Sequence, residues 1–467
     1  MRLRRPFPSS LSLVLLLAHT AHALDLGEAY AKARQSDPNW LAAHNTYLAD
    51  SREDMIGLGG LLPSVVANGS ISETEFEPDA SNTFSDAYDA DTTQWMVKAT
   101  QPLFRADAWF DYRRARAVAS GAEANYRSEE QALALRVSQA YFGVLFAQET
   151  LAYAESEEAA FGRQLDQAQQ RFDVGLIAIT DVLEARASFD SSRANRIAAE
   201  ASLQAAQENL AMVIGEAPGR LVPLKADAPM IKPTPADPEA WVKLAREQNP
   251  DLIAARKNQD TAVAVSRQVK SRLLPAVDLF ASHSNMDRNA GGFGSAQNGT
   301  TTAVGLEANW ALFAGGRAYN ASRQASYRAA AAQDIAIGAE KQVVNHTRTA
   351  FNNVTADSYR VEARKQAVAS TEASLDATQA GYEVGTRNIV DVLLAQRNMY
   401  AAKRDYAAAR YDYVINSLRL KAASGQLSEV DIKELNAWLD PSASVVSAPE
   451  KPAEPAQAPA PARPGKR

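Results

Sequence analysis

The 467-residue chain contains no cysteine. That excludes disulfides, thiolate metal sites, a thiol nucleophile and a lipid-modified cysteine at a mature N-terminus. Histidine is scarce. His19 and His22 lie within the first 23 residues, and His44, His283 and His346 are scattered without ligand spacing, so no metal site is expected. Positive charge is not in excess: the net charge is −6, and removal of Arg2, Arg4 and Arg5 makes it more negative. A nucleic-acid partner, which asks for a basic footprint, is therefore not expected. Beyond residue 23 no apolar run approaches the length of a spanning helix. The chain also lacks Gly-x-Ser-x-Gly, P-loop and His-Glu-x-x-His signatures, so neither an enzyme nor a cofactor is expected. Gly291-Gly292-Phe293-Gly294 does not open a helix after a strand, as a dinucleotide loop would, and reads as an external loop.

The N-terminus has the parts of a secretory signal peptide. Arg2, Arg4 and Arg5 precede a short apolar stretch over residues 11–18, followed by the small-x-small site Ala21-His22-Ala23. Residues 1–23 are assigned to it, and the mature chain is expected to start at Leu24.

The chain then says nearly the same thing twice. Tyr30 to Val65 can be laid on Val242 to Val277 without a gap, which places Pro38 on Pro250 and Leu61-Leu62-Pro63 on Leu273-Leu274-Pro275. Arg171-Phe172-Asp173-Val174-Gly175 falls on Gly381-Tyr382-Glu383-Val384-Gly385, and Ile179-Thr180-Asp181-Val182-Leu183 on Ile389-Val390-Asp391-Val392-Leu393. A unit of roughly two hundred residues is a duplication, far too long for a solenoid repeat.

Each half reads as helix, strand, strand, long helix, helix. The first repeat spans 24–224. In it, Asp37-Pro38 starts a helix running towards Gly57, strands follow at about 63–76 and 92–104, and helices at about 107–172 and 180–214. Residues 225–238 form a proline-rich linker. The second repeat, 239–427, has strands at about 275–286 and 301–313 and helices at about 317–382 and 388–424. A helical segment at 428–440 precedes a Pro/Ala-rich tail, 441–467, expected to be disordered.

The strands alternate. Trp95, Val97, Ala99 and Leu103 oppose Gln94, Lys98 and Thr100; Val304, Leu306, Ala308, Trp310 and Leu312 oppose Gly305, Glu307 and Asn309. One greasy and one wet face suits a barrel wall in lipid or a half-buried soluble sheet. The helices are more telling. A continuous helix over 107–172 would reach roughly 100 Å. Leu133, Val137, Ala140, Val144, Ala147, Leu151 and Ala154 step by four and three along it, as in a coiled-coil seam. Val182 to Val213 and Val392 to Ala423 keep the same stepping.

Four strands cannot close a barrel, and open edges are not tolerated in lipid. Several copies must therefore share one barrel. Two copies would give eight strands filled by side chains, and three would give twelve with a passage.

The run Arg171-Phe172-Asp173-Val174-Gly175-Leu176-Ile177-Ala178-Ile179-Thr180-Asp181-Val182 resembles the signature of the TolC family of outer-membrane efflux and type I secretion channels. So do Gly381 to Arg387, Ile389 to Leu393, and Ala409-Arg410-Tyr411-Asp412-Tyr413. The resemblance implies a mainly α fold carrying a β-barrel: a homotrimer whose twelve-stranded outer-membrane barrel, four strands per chain, stands on a long periplasmic α-helical tunnel. It implies a periplasmic adaptor and an inner-membrane pump or ABC secretion ATPase as partners, and outer-membrane lipid around the barrel.

It also implies roles at the tunnel entrance. Gly175 and Gly385 mark helix tips that meet the adaptor. Thr180, Asp181, Tyr382 and Arg387 match polar links that hold the entrance shut, and Asp391 matches an aspartate facing the constriction. Leu394 departs from closer relatives, which carry a second acidic ring there, so weaker cation selectivity and weaker block by trivalent ions are expected. From local chemistry, Thr180 or Asn388 can cap the helix after each turn. The main rival is an exported coiled-coil structural or adhesive protein without a pore, which would leave the paired strands unexplained.

Overall fold

The computed structural model describes residues 23–77, 87–290 and 296–442. The leader before residue 23, the glycine cluster at 291–294 and the tail from residue 443 lie outside the described residues. The first half runs α1 (Leu26–Ser36), α2 (Pro38–Asp50), α3 (Glu53–Gly59), β1 (Ser64–Phe76), β2 (Tyr88–Phe104), α4 (Ala106–Asp173) and α5 (Ile179–Ile214). The second runs α6 (Pro238–Gln248), α7 (Pro250–Ser271), β3 (Ala276–Ala290), β4 (Gln297–Asn309), α8 (Arg317–Glu383) and α9 (Ile389–Ala423), with α10 (Glu429–Asn436) after it.

The duplication extends to its caps. Asp37 ends α1 and caps α2, accepting from the Trp40 N–H with Pro38 at the first helical position; Asn249 and Pro250 do the same for α7. Asp37 is buried and held by a two-pronged guanidinium contact from Arg136, at 3.0 and 3.1 Å. One expectation is corrected. The helix from Pro38 does not reach Gly57 unbroken but bends at Ser51-Arg52, where the Ser51 hydroxyl donates to the Leu48 carbonyl. The bend lays α3 on α4 so closely that a Cβ on Gly57 would stand 2.6 Å from that of Ala115. The matching residue in the second half is Val269, and α7 continues without a break. Two short helices, α1 and α6, were not foreseen.

The four strands form one antiparallel sheet in the order β1-β2-β3-β4. Its register tells the faces apart. Ala67 pairs with Val97, Val97 with His283, Ala99 with Ala281, and Ala281 with Val304. Val65, Ile71, Trp95, Val97, Leu279, Val304 and Leu306 thus share one face, where all are exposed. The opposite face carries Lys98, Ser282, Ser284 and Glu307, with Lys98 Nζ 3.1 Å from the Glu307 carboxylate. Within the protomer β1 and β4 each present one unpaired edge. Among the described residues no helix is long and apolar enough to cross a membrane.

The α4 helix has 68 residues and α8 has 67, so each is about 100 Å long. They pair with α5 and α9 as two hairpins. On the α4 seam every anticipated position except the half-buried Ala140 is buried. The largest core surrounds Tyr141 and Phe142, where α1, α4, α9 and α10 converge on residues 221–224. The Tyr141 hydroxyl lies 2.8 Å from the Val222 carbonyl and 3.0 Å from that of Leu24, joining the segment before α1 to the segment after α5.

Candidate functional site

The free ends of the two hairpins, farthest along the chain from the sheet, hold the residues singled out above. The polypeptide reverses over Val174–Ala178 and again over Val384–Asn388. Each reversal needs a residue at positive φ, supplied by Gly175 at 77° and Gly385 at 79°, where a side chain would strain the backbone. The Leu176 N–H reaches back to the Arg171 carbonyl at 2.8 Å, and the Thr386 N–H to the Gly381 carbonyl at 2.8 Å. These bonds close both helix C-termini in the same way.

The two helices that follow start differently. Asn388 caps α9: its side chain accepts from the Asp391 N–H at 2.9 Å, and the Asp391 carboxylate accepts from the Asn388 N–H at 3.4 Å. Thr180, by contrast, does not cap α5. That helix begins one residue earlier, at Ile179, after Ala178, which offers no side-chain acceptor. Thr180 is an exposed residue of the first turn.

Between the tips lies a small apolar cluster. Phe161, Ala168, Val182 and Ala185 from the first hairpin meet Ile389 and Leu393 from the second, with Phe172 and Tyr382 packed against them. This cluster holds the hairpin ends together within one protomer. Sequence reasoning missed it because Ile389 and Leu393 look outward from the α8–α9 seam, to which the heptad count was confined.

The polar residues are only partly brought together. Arg387 Nη1 stands 3.9 Å from the Asp391 carboxylate, a loose and exposed contact. The Arg171 guanidinium lies 4.8 Å from the centre of the Tyr382 ring. Among the described residues, neither Thr180 nor Asp181 forms a side-chain hydrogen bond or ion pair within the protomer, and neither meets Tyr382 or Arg387. The Tyr382 hydroxyl is buried without a hydrogen-bond partner. Arg171 was also missed as a site residue. In the alignment of the tips it stands against Gly381. Leu394 is exposed on α9, three residues past Asp391.

Further up the hairpins, α9 crosses onto α4. The Tyr400 hydroxyl donates to the Ser156 carbonyl at 3.0 Å, and burial pushes its pKa up. Arg404 reaches the buried Glu157 carboxylate at 3.0 Å. Among the described residues no group of histidines or carboxylates is arranged to hold a metal.

Comparison with known proteins agrees with this architecture. A family model described as "Outer membrane efflux protein" matches residues 20–216 and 241–426, the two repeats. The outer membrane protein TolC of Vibrio cholerae is 34% identical over 428 residues, covering 91% of this chain and 95% of that protein. The alkaline protease secretion protein AprF of Pseudomonas aeruginosa is 29% identical, over 90% of this chain and 88% of its own. In fold, the chain is similar to the outer membrane channel CmeC of Campylobacter jejuni, with a TM-score of 0.73 over 89% of this chain and 90% of that one, at 16% identity.

Proposed function

This chain belongs to the outer membrane efflux protein family, and from that premise we propose that three copies close one twelve-stranded barrel above a shared helical tunnel. The protein is an outer-membrane exit duct for efflux and type I secretion, extends into the periplasm, and is not an enzyme. Such channels work with an adaptor and a pump. Here the periplasmic adaptor meets the tips at Gly175 and Gly385, and the inner-membrane pump or secretion ATPase supplies the energy.

The observation that carries this reading is the sheet. It is too small to close, exposes one continuous apolar face, and leaves β1 and β4 each with an unpaired edge. Open edges cannot stand in lipid. Because the strands alternate in direction and are even in number, β4 of one copy meets β1 of the next in antiparallel sense under simple rotation. Three copies leave a passage where two would not. The same sheet disfavours the non-conducting coiled-coil rod, for which it has no use.

At the entrance the tips form a constriction. Asp391 contributes one carboxylate per copy, and a ring of three favours cations. In planar bilayers the purified protein is expected to conduct, with a block by trivalent cations that disappears in Asp391→Ala. No conductance at all would overturn the duct, and a block that survives the substitution would move the cation site elsewhere. The exposed Leu394, in place of a second acid, makes the block weaker than a double ring gives.

Thr180, Asp181, Tyr382 and Arg387 form the latch. An exposed polar link is worth about 0–1 kcal/mol, so a gate held by several of them yields to a docking partner. Arg387→Ser combined with Tyr382→Phe is expected to raise single-channel conductance severalfold, while an unchanged value would reject the latch.

A further inference from the structure

Just beneath the sheet, α4 and α7 pack side by side and leave a groove of about 610 Å³. Its two walls are strongly cationic. Arg113 and Arg116 project from α4, and Lys257 and Arg267 from α7. The spacing of three puts Arg113 and Arg116 on one face of α4, and Lys257 and Arg267 both line the groove from α7. The nearby carboxylates are already engaged: Asp111 takes Arg114 and Gln268, and Asp260 stands 3.7 Å from Lys257. Arg113, Arg116 and Arg267 are exposed and, among the described residues, have no carboxylate partner in the protomer. Trp109, half exposed, and Tyr112 line the same groove.

The height of the groove can be read from both helices. Counted from the end of β2 at Phe104, positions 109–116 of α4 lie roughly 7–18 Å below the sheet at 1.5 Å per residue. Counted back from the start of β3 at Ala276, positions 257–267 of α7 lie roughly 13–28 Å below it on the same measure. The upper part of the groove thus falls where an apolar barrel wall gives way to the polar heads of the inner leaflet, the level at which tryptophan and tyrosine collect.

We propose that this groove holds the phosphate headgroup of an anionic phospholipid from the periplasmic leaflet. The arginines form the forked contacts that phosphate oxygens accept, and the aromatic rings lie against the glycerol and upper acyl region. The lipid braces α4 against α7 at the point where the barrel joins the tunnel. Basic pockets between helices at a membrane surface recognise anionic headgroups in the same way. The assignment rests on the outer-membrane reading above.

The test uses the full protein reconstituted in vesicles of phosphatidylethanolamine with phosphatidylglycerol and extracted in mild detergent. Native mass spectrometry then counts retained lipid, and bilayer conductance is measured on the same preparation. Phosphatidylglycerol is expected to be retained in preference to phosphatidylethanolamine. Retention is expected to fall about tenfold in Arg113→Gln/Arg116→Gln/Arg267→Gln and partway in Arg267→Gln alone, with conductance unchanged. The control Arg186→Gln/Arg193→Gln, far down α5, is expected to retain lipid normally. Equal retention by the triple variant, equal retention of the zwitterionic lipid, or displacement by glycerol phosphate at comparable concentration would each overturn the lipid site. Loss of conductance in the unmodified protein would instead overturn the duct, with the lipid count still readable.

Discussion

Replacing Arg404 with alanine is expected to destabilise the helical region by up to about 3 kcal/mol, the low end for breaking a buried ion pair, because the guanidinium side of the pair is partly exposed. The cause lies on the opposite helix. Glu157 is 2% exposed on α4, and Arg404 on α9 reaches its carboxylate at 3.0 Å. Among the described residues no other cation is within ion-pair distance of Glu157, since the neighbouring Lys403 is turned to Glu372. Removing the guanidinium leaves a negative charge with poor access to water, and that cost exceeds the worth of the bond itself. Glu157→Gln added to Arg404→Ala should therefore recover most of the loss, because a neutral amide has no charge to strand. Denaturant unfolding followed by helical circular dichroism measures both. A single variant within about 1 kcal/mol of the parent would mean that Glu157 finds water or another partner. The pair is one of several contacts by which α9 leans on α4, beside the Tyr400–Ser156 and Tyr411–Glu149 hydrogen bonds.

The contact was not legible in the sequence, and the reason is general to the long helices. Counting steps of four and three along α9 picks out ten positions, of which Val392, Met399, Ala402, Ala409, Tyr413 and Leu420 are buried while Ala395, Tyr406, Asn416 and Ala423 are only half-buried. It missed Ala407, Tyr411, Val414 and Leu418, also buried, because a seam count presumes one partner and α9 has more: α8, α4 and, at the tip, α5. On that second side Tyr411 lies beside Phe142 and Phe146, and its hydroxyl donates to Glu149 at 2.7 Å. The α5 helix lies mainly on α4, and there the single-seam count accounts for most of what is buried. The fold class could be read because duplication, heptads and strand alternation are long-range patterns that many residues repeat. The bend at Ser51-Arg52 and the start of α5 at Ile179 turn on single close approaches and single backbone angles. At the tips, the glycines and the Asn388 cap were readable from local chemistry. The apolar cluster beneath them needs the two hairpins placed side by side, which no local pattern specifies.

If three copies share one barrel as proposed, they form a trimer that resists dissociation until boiled, which Val304→Lys is expected to abolish and Ala303→Lys, one residue away, to leave intact. The register makes the difference. Val304 pairs with Ala281 and shares its face with Val97, Trp95 and Leu306, while Ala303 pairs with Ser282 and shares its face with Lys98 and Glu307. Val304 is 72% exposed in the protomer and lies midway along the apolar band, so in a barrel its side chain meets hydrocarbon. A lysine near the midplane on the lipid face costs about 2–4 kcal/mol, and symmetry makes every copy bear it. In the proposed barrel an ammonium group at position 303 faces the lumen, on the side of the sheet that carries the Lys98–Glu307 contact. The readout is the oligomer band with and without boiling, from outer-membrane fractions carrying each variant at matched expression. Loss of the trimer with Ala303→Lys and not with Val304→Lys would turn the sheet inside out. Survival of both would mean that the exposed apolar face never enters lipid, and a closed barrel built from three copies could not then be the reason the β1 and β4 edges are left open.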